Sequence, residues 1–62
     1  MRLDAIIVDD ETLARENLQI LLEDFCPEIS VIGGASNIAA AKALIEEKKP
    51  QVVFLDIRMP SG

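Results

Sequence analysis

The chain has 62 residues, 50% of them hydrophobic, and a formal net charge of −5. This composition is typical of an acidic globular segment and differs from that of a disordered tail. The six Lys and Arg residues are scattered along the sequence, whereas a protein that binds nucleic acid needs a basic patch or stripe. This segment is therefore not expected to bind nucleic acid, and any DNA binding by the full protein would need another segment.

Cysteine content and hydropathy indicate the compartment. Cys26 is the one cysteine, so an internal disulfide is not possible. The first residues lack the apolar stretch of a signal peptide, and no run of about 18 apolar residues could span a membrane. These features predict a protein of the reducing cytoplasm.

The first predicted element is a short strand over residues 5–8, an apolar run that ends abruptly at Asp9 and Asp10. From Glu11 the apolar residues recur at helical spacing, which predicts an amphipathic helix that Pro27 ends. Asp10 is a candidate N-cap for this helix. The predicted inward face of the helix consists of Ala14, Leu18, Leu21, Leu22 and Phe25.

A second strand is predicted over residues 30–35, where Gly33 and Gly34 favour a bulge or a close backbone approach. Neither glycine belongs to a phosphate-binding loop motif. Ser36 or Asn37 could then cap a second helix.

This second helix is predicted over residues 38–48, and Pro50 ends it. Its predicted inward face consists of Ala41, Leu44 and Ile45. The apolar run at residues 52–55 repeats the pattern of the first strand, and Asp56 follows it. The predicted order is therefore β-α-β-α-β.

Apolar strands that alternate with helices predict an α/β fold with a doubly wound parallel sheet. The two helices cover opposite faces of the sheet if the strand order reverses at the first strand. We therefore expect the strand order 2-1-3.

Three aspartates, Asp9, Asp10 and Asp56, follow the carboxyl ends of the first and third strands. Ligands of open α/β sheets bind outside these ends, at the point where the strand order reverses. Adjacent strands lie about 4.8 Å apart, so crowded carboxylates there would need a cation to stay ionised. Mg2+ prefers such oxygen ligands. One aspartate after a strand is also common in a turn or a helix cap, but three at one edge favour a metal site.

Two segments resemble the receiver domain of two-component response regulators. They are IIVDDE at residues 6–11 and VFLDIRMP at residues 53–60, which match an acidic pair after strand 1 and an Asp-x-x-Met-Pro motif after strand 3. By position, the resemblance makes Asp56 the phosphoacceptor and Asp10 a direct Mg2+ ligand. It makes Asp9 a Mg2+ ligand mainly through water, and the backbone carbonyl of Arg58 a third protein contact.

The resemblance implies a flavodoxin-like fold roughly twice as long as this chain. Residues 1–62 are then expected to be the N-terminal half of a receiver domain, without strands 4 and 5 or an effector domain. It also implies a sensor histidine kinase as phosphodonor. Such a module is not an enzyme, except that it assists its own phosphorylation and dephosphorylation.

Residues 10–18 are similar to the first helix of receivers attached to LytTR-type DNA-binding domains, which implies a transcription regulator. The alternative is a metal-dependent phosphohydrolase with an aspartate nucleophile. Haloacid-dehalogenase-like enzymes carry Asp-x-Asp after their first strand, whereas this chain has Asp9-Asp10 there and Asp56 after the third strand.

A homodimer is expected if residues 1–62 are a whole polypeptide. The free edge of the third strand would then expose unpaired backbone groups. A chain of this size also buries only about 60% of its unfolded surface. Pairing of the third strands of two copies would cover this edge.

Overall fold

The structure, a computed structural model, describes residues 2–56. Its elements in chain order are β1 (Leu3–Asp9), α1 (Thr12–Phe25), β2 (Ile29–Ala35), α2 (Ile38–Lys48) and β3 (Val52–Asp56). The predicted order β-α-β-α-β is confirmed. The strand β1 begins earlier than predicted because Leu3 and Asp4 also pair with β2.

The three strands form one parallel sheet with the order β2-β1-β3, which confirms the predicted order 2-1-3. The central strand β1 has a neighbour on each side and is covered on both faces. Residues 5–8 of β1 are accordingly buried, and Ile6 and Val8 are its largest fully buried side chains.

The two helices lie on opposite faces of the sheet. An added Cβ at Gly33 would contact Leu44 of α2, whereas one at Gly34 would contact Arg15 of α1. Successive residues of a strand point to opposite faces, so these contacts assign one helix to each face. The register of the β1–β2 pair also shifts by one residue near these glycines, which confirms the predicted irregularity.

Only some of the α2 residues that were predicted to face inward belong to the core on that face of the sheet. Its buried residues are Ile6, Val8, Ala35 and Ala41, with Ile32 and Leu44 packed against them. Ile45, predicted to face inward, is 37% exposed. The contact face of α2 is therefore narrower than the apolar pattern predicted.

The helix α1 buries Leu22 but leaves Leu21 and Phe25, both predicted to face inward, 53% and 76% exposed. That part of the prediction is wrong. Within the described residues α1 contacts β1 and β2 but not β3. Leu21 lies about 100° around the helix from Leu22, so it projects away from the strands that α1 covers.

The two helices begin in different ways. The cap of α2 is Asn37, whose Oδ1 accepts a hydrogen bond of 2.8 Å from the backbone N–H of Ala40. The cap of α1 is Glu11, and no side chain caps that helix. The expectation that Asp10 caps α1 is therefore wrong, because the helix begins one residue later.

Between residues 2 and 56, neither helix combines the length and the apolar character needed to cross a membrane.

Candidate functional site

Asp9 and Asp56 are the last residues of β1 and β3, and they are partners in the parallel register of the two strands. Neighbouring strands are about 4.8 Å apart. The structure therefore places Asp56 beside Asp9 at the carboxyl edge of the sheet, next to the reversal of strand order where open α/β sheets bind ligands.

Asp9 is a buried carboxylate, with 6% of its surface exposed. Its Oδ1 accepts a hydrogen bond of 3.0 Å from the backbone N–H of Glu11. A buried charged oxygen is costly unless it has a hydrogen-bond donor or a cation nearby. The turn after β1 supplies one such donor.

Asp10 and Asp56 are exposed, in contrast to Asp9. A hydrated cation can approach their carboxylates from solvent without displacing packed side chains. Carboxylate oxygens are the hard donors that Mg2+ prefers, and Mg2+ commonly keeps several waters and takes only one or two carboxylates. The donor chemistry at this edge therefore fits Mg2+.

The three aspartates do not form one tight cluster. Among residues 2–56, no group of three or more His, Cys, Asp or Glu side chains is arranged to hold a metal ion. The bond from Glu11 to Asp9 draws one carboxylate back onto the turn. The backbone carbonyl of Arg58, predicted as a third protein contact, lies outside the described residues.

Arg15 also contacts the site, although no motif in the sequence predicts this contact. Its Nη1 donates a hydrogen bond of 2.7 Å to the backbone carbonyl of Asp9, and its Nη2 lies 3.4 Å from Oγ1 of Thr12. The spacing of Thr12 and Arg15 on one helix face is visible in the sequence. The bond to Asp9 depends on the shape of the turn, which no residue pattern specifies.

A depression of about 440 Å3 lies between α1 and β2, and its lining includes Arg15 and Gly34. None of the three aspartates lines it. The candidate site is thus an open surface at the sheet edge, and this depression lies to one side of it.

A model of the response regulator receiver domain family matches residues 5–62. An uncharacterized response regulatory protein of Vibrio parahaemolyticus is 48% identical over 58 residues, which are 94% of this chain and 24% of that protein. The transcriptional regulatory protein BtsR of Escherichia coli K12 is 44% identical over 55 residues, 89% of this chain and 23% of BtsR. The chain thus spans about a quarter of the length of these relatives. No solved structure gives a significant match.

Proposed function

Because this chain belongs to the response regulator receiver domain family, we propose that it accepts a phosphoryl group from a sensor histidine kinase on Asp56. The observation that carries the proposal is the position of Asp56, exposed at the end of β3 and paired in register with Asp9. A carboxylate oxygen of Asp56 would attack the phosphorus in line, forming an acyl phosphate while the bond from phosphorus to the histidine nitrogen breaks. The main requirements of such a transfer are positioning and charge neutralisation.

The proposal includes a Mg2+ ion beside Asp56. Asp10 and Asp56 would hold it directly, Asp9 mainly through water, and the backbone carbonyl of Arg58 would be a further ligand. When bound, Mg2+ neutralises charge on the carboxylate and phosphoryl oxygens. The bond from Glu11 to Asp9 supports the division of roles, since it occupies one oxygen of Asp9, whereas Asp10 is exposed.

In this proposal the segment is a switch: phosphorylation shifts its conformational equilibrium and an effector reads the shift. It catalyses no reaction beyond its own phosphorylation and dephosphorylation. One matched relative is named a transcriptional regulatory protein, which supports a transcriptional effector elsewhere in the protein. The proposed compartment is the cytoplasm, where a kinase has ATP.

Phosphoryl labelling tests the assignment of Asp56. The full-length protein, incubated with acetyl phosphate and Mg2+, should gain the mass of one phosphoryl group, and peptide mapping should locate it at Asp56. Asp56→Ala should abolish the gain. Asp24→Ala, a change at an exposed carboxylate on α1, is the matched control and should label normally. Undiminished labelling of Asp56→Ala would refute the assignment.

A turnover assay separates the receiver from the alternative phosphohydrolase. With a receiver present, a small phosphomonoester should be hydrolysed no faster than in buffer alone. Sustained multiple turnover that is lost in Asp56→Ala would favour the phosphohydrolase.

A further inference from the structure

We propose that Arg15 is a positioning residue that fixes the acidic turn, defined as Asp9, Asp10 and Glu11, in the shape that presents Asp10 to a cation. This inference rests on the proposed function, because the cation concerned is the Mg2+ of the phosphorylation site. It adds a role for a side chain outside the acidic motif.

The two peptide groups that flank Asp10 are both held by side chains. The carbonyl of the first belongs to Asp9 and accepts the 2.7 Å hydrogen bond from Nη1 of Arg15. The N–H of the second belongs to Glu11 and donates to Oδ1 of Asp9. Rotation about either backbone torsion of Asp10 would move one of these groups. The direction of the exposed Asp10 side chain therefore depends on both bonds.

Arg15 is itself held in place on the α1 face of the sheet. It is half-buried, and its stem lies over Gly34, where an added Cβ would lie 3.5 Å from Cδ and 3.7 Å from Nε. The second guanidinium nitrogen, Nη2, is near Oγ1 of Thr12. A charge-assisted bond from a donor restrained in this way is stronger and more directional than one from a free surface arginine.

Positioning and plain electrostatics predict opposite effects of removing this charge. If Arg15 acts only as a nearby positive charge, its removal makes the acidic turn more negative and tightens Mg2+ binding. If it holds the turn, removal lets Asp10 sample other directions and weakens Mg2+ binding. The direction of the change therefore distinguishes the two roles.

The test measures Mg2+ affinity by isothermal titration calorimetry on the full-length protein. Arg15→Met keeps an apolar stem over Gly34 but has no donor, and its Mg2+ dissociation constant should rise roughly tenfold, as for loss of a charge-assisted hydrogen bond. Arg15→Lys keeps a charged donor and should recover part of the loss. Lys42→Met removes an exposed charge on α2 and should leave the affinity near that of the wild type.

Amide hydrogen exchange provides a second readout, independent of metal. The Glu11 N–H should exchange faster in Arg15→Met than in the wild type, both without Mg2+.

Leu18→Ala, which truncates a half-buried residue of α1, is the control for general destabilisation. It should lower the melting temperature without lowering the Mg2+ affinity of the folded protein.

Weaker Mg2+ binding together with faster Glu11 exchange in Arg15→Met supports the inference. Unchanged or tighter Mg2+ binding in that variant overturns it, as does unchanged Glu11 exchange. Failure of the wild-type protein to bind Mg2+ would instead refute the proposed function, on which the inference rests.

Discussion

The Oδ1 atom of Asp9 accepts a hydrogen bond from the backbone N–H of Glu11, two residues along the chain. Asp9, the last residue of the central strand, is buried and bonded back to its own turn, whereas Asp10, between the two bonded residues, is exposed. Adjacent residues of the same type thus have different environments. The unequal roles proposed for the two residues in cation binding follow this difference.

Asp10→Asn should weaken Mg2+ binding to the full-length protein by more than about tenfold, or about 1.4 kcal/mol. The substitution keeps the size of the side chain but removes the charge of the proposed direct ligand. Isothermal titration calorimetry measures the change. Asp24→Asn, at an exposed position on α1, makes the same chemical change away from the site and should bind Mg2+ like the wild type. Equal affinities for the two variants would remove Asp10 from the site.

Asn37→Ala should destabilise the full-length protein by about 1 kcal/mol, the usual cost of losing a helix N-cap. The bond from the Ala40 N–H to Oδ1 of Asn37 would be lost, and Asn37→Asp should restore it. The control is Ser36→Ala, one residue before the cap, which should change stability by less than about 0.5 kcal/mol. Urea unfolding measures the free energy of unfolding of the three variants. Equal losses of stability in Ser36→Ala and Asn37→Ala would contradict the cap assignment.

The order of elements and the strand order were predictable because apolar runs alternate with helical patterns along the sequence. The switch from one periodicity to the other marks the element boundaries. Ser36 and Asn37 stayed open as caps because both side chains can accept from a helix N–H. Only the backbone geometry before α2 selects Asn37.

Helical periodicity did not predict the width of the buried stripe on α1. It identifies an apolar side, and Leu22 lies on it, but the covered width depends on the strands beneath the helix. Leu21 and Phe25 remain exposed because α1 contacts β1 and β2 alone within residues 2–56. The bond of Arg15 to the Asp9 carbonyl also depends on tertiary structure. Every residue has a backbone carbonyl, so no residue type in the sequence identifies this acceptor.

Gly33→Val should destabilise the full-length protein by about 1–3 kcal/mol, the usual cost of overpacking. A Cβ at Gly33 would already lie 3.1 Å from Cδ2 of Leu44, and the two further methyl groups of valine would crowd this half-buried side chain between α2 and β2. Gly34→Ala is the contrasting change, because its Cβ would make ordinary contacts at 3.5 Å. It should be neutral or stabilising by up to about 1 kcal/mol. A Gly33→Val variant as stable as Gly34→Ala in thermal unfolding would contradict the close approach of α2 to β2.

A polypeptide of residues 1–62 is expected to leave the β3 edge of the sheet free. In the described sheet β3 is an edge strand, and its Val53 and Leu55 are 40% and 61% exposed. An apolar edge strand with unpaired backbone groups recruits another strand. The other edge, β2, carries the register shift, and such a bulge hinders pairing. We therefore expect two copies of this polypeptide to associate through β3.

Light scattering coupled to size exclusion, over a range of concentrations, measures this association. Leu55→Lys should shift the polypeptide toward monomer, because a charge on an edge strand opposes pairing with another copy. Ala39→Lys adds the same charge at an exposed position on α2 and should leave the association unchanged. An unmodified polypeptide that remains a folded monomer at every concentration would contradict pairing through β3. Equal weakening by both lysine variants would attribute the association to net charge and not to the edge of β3.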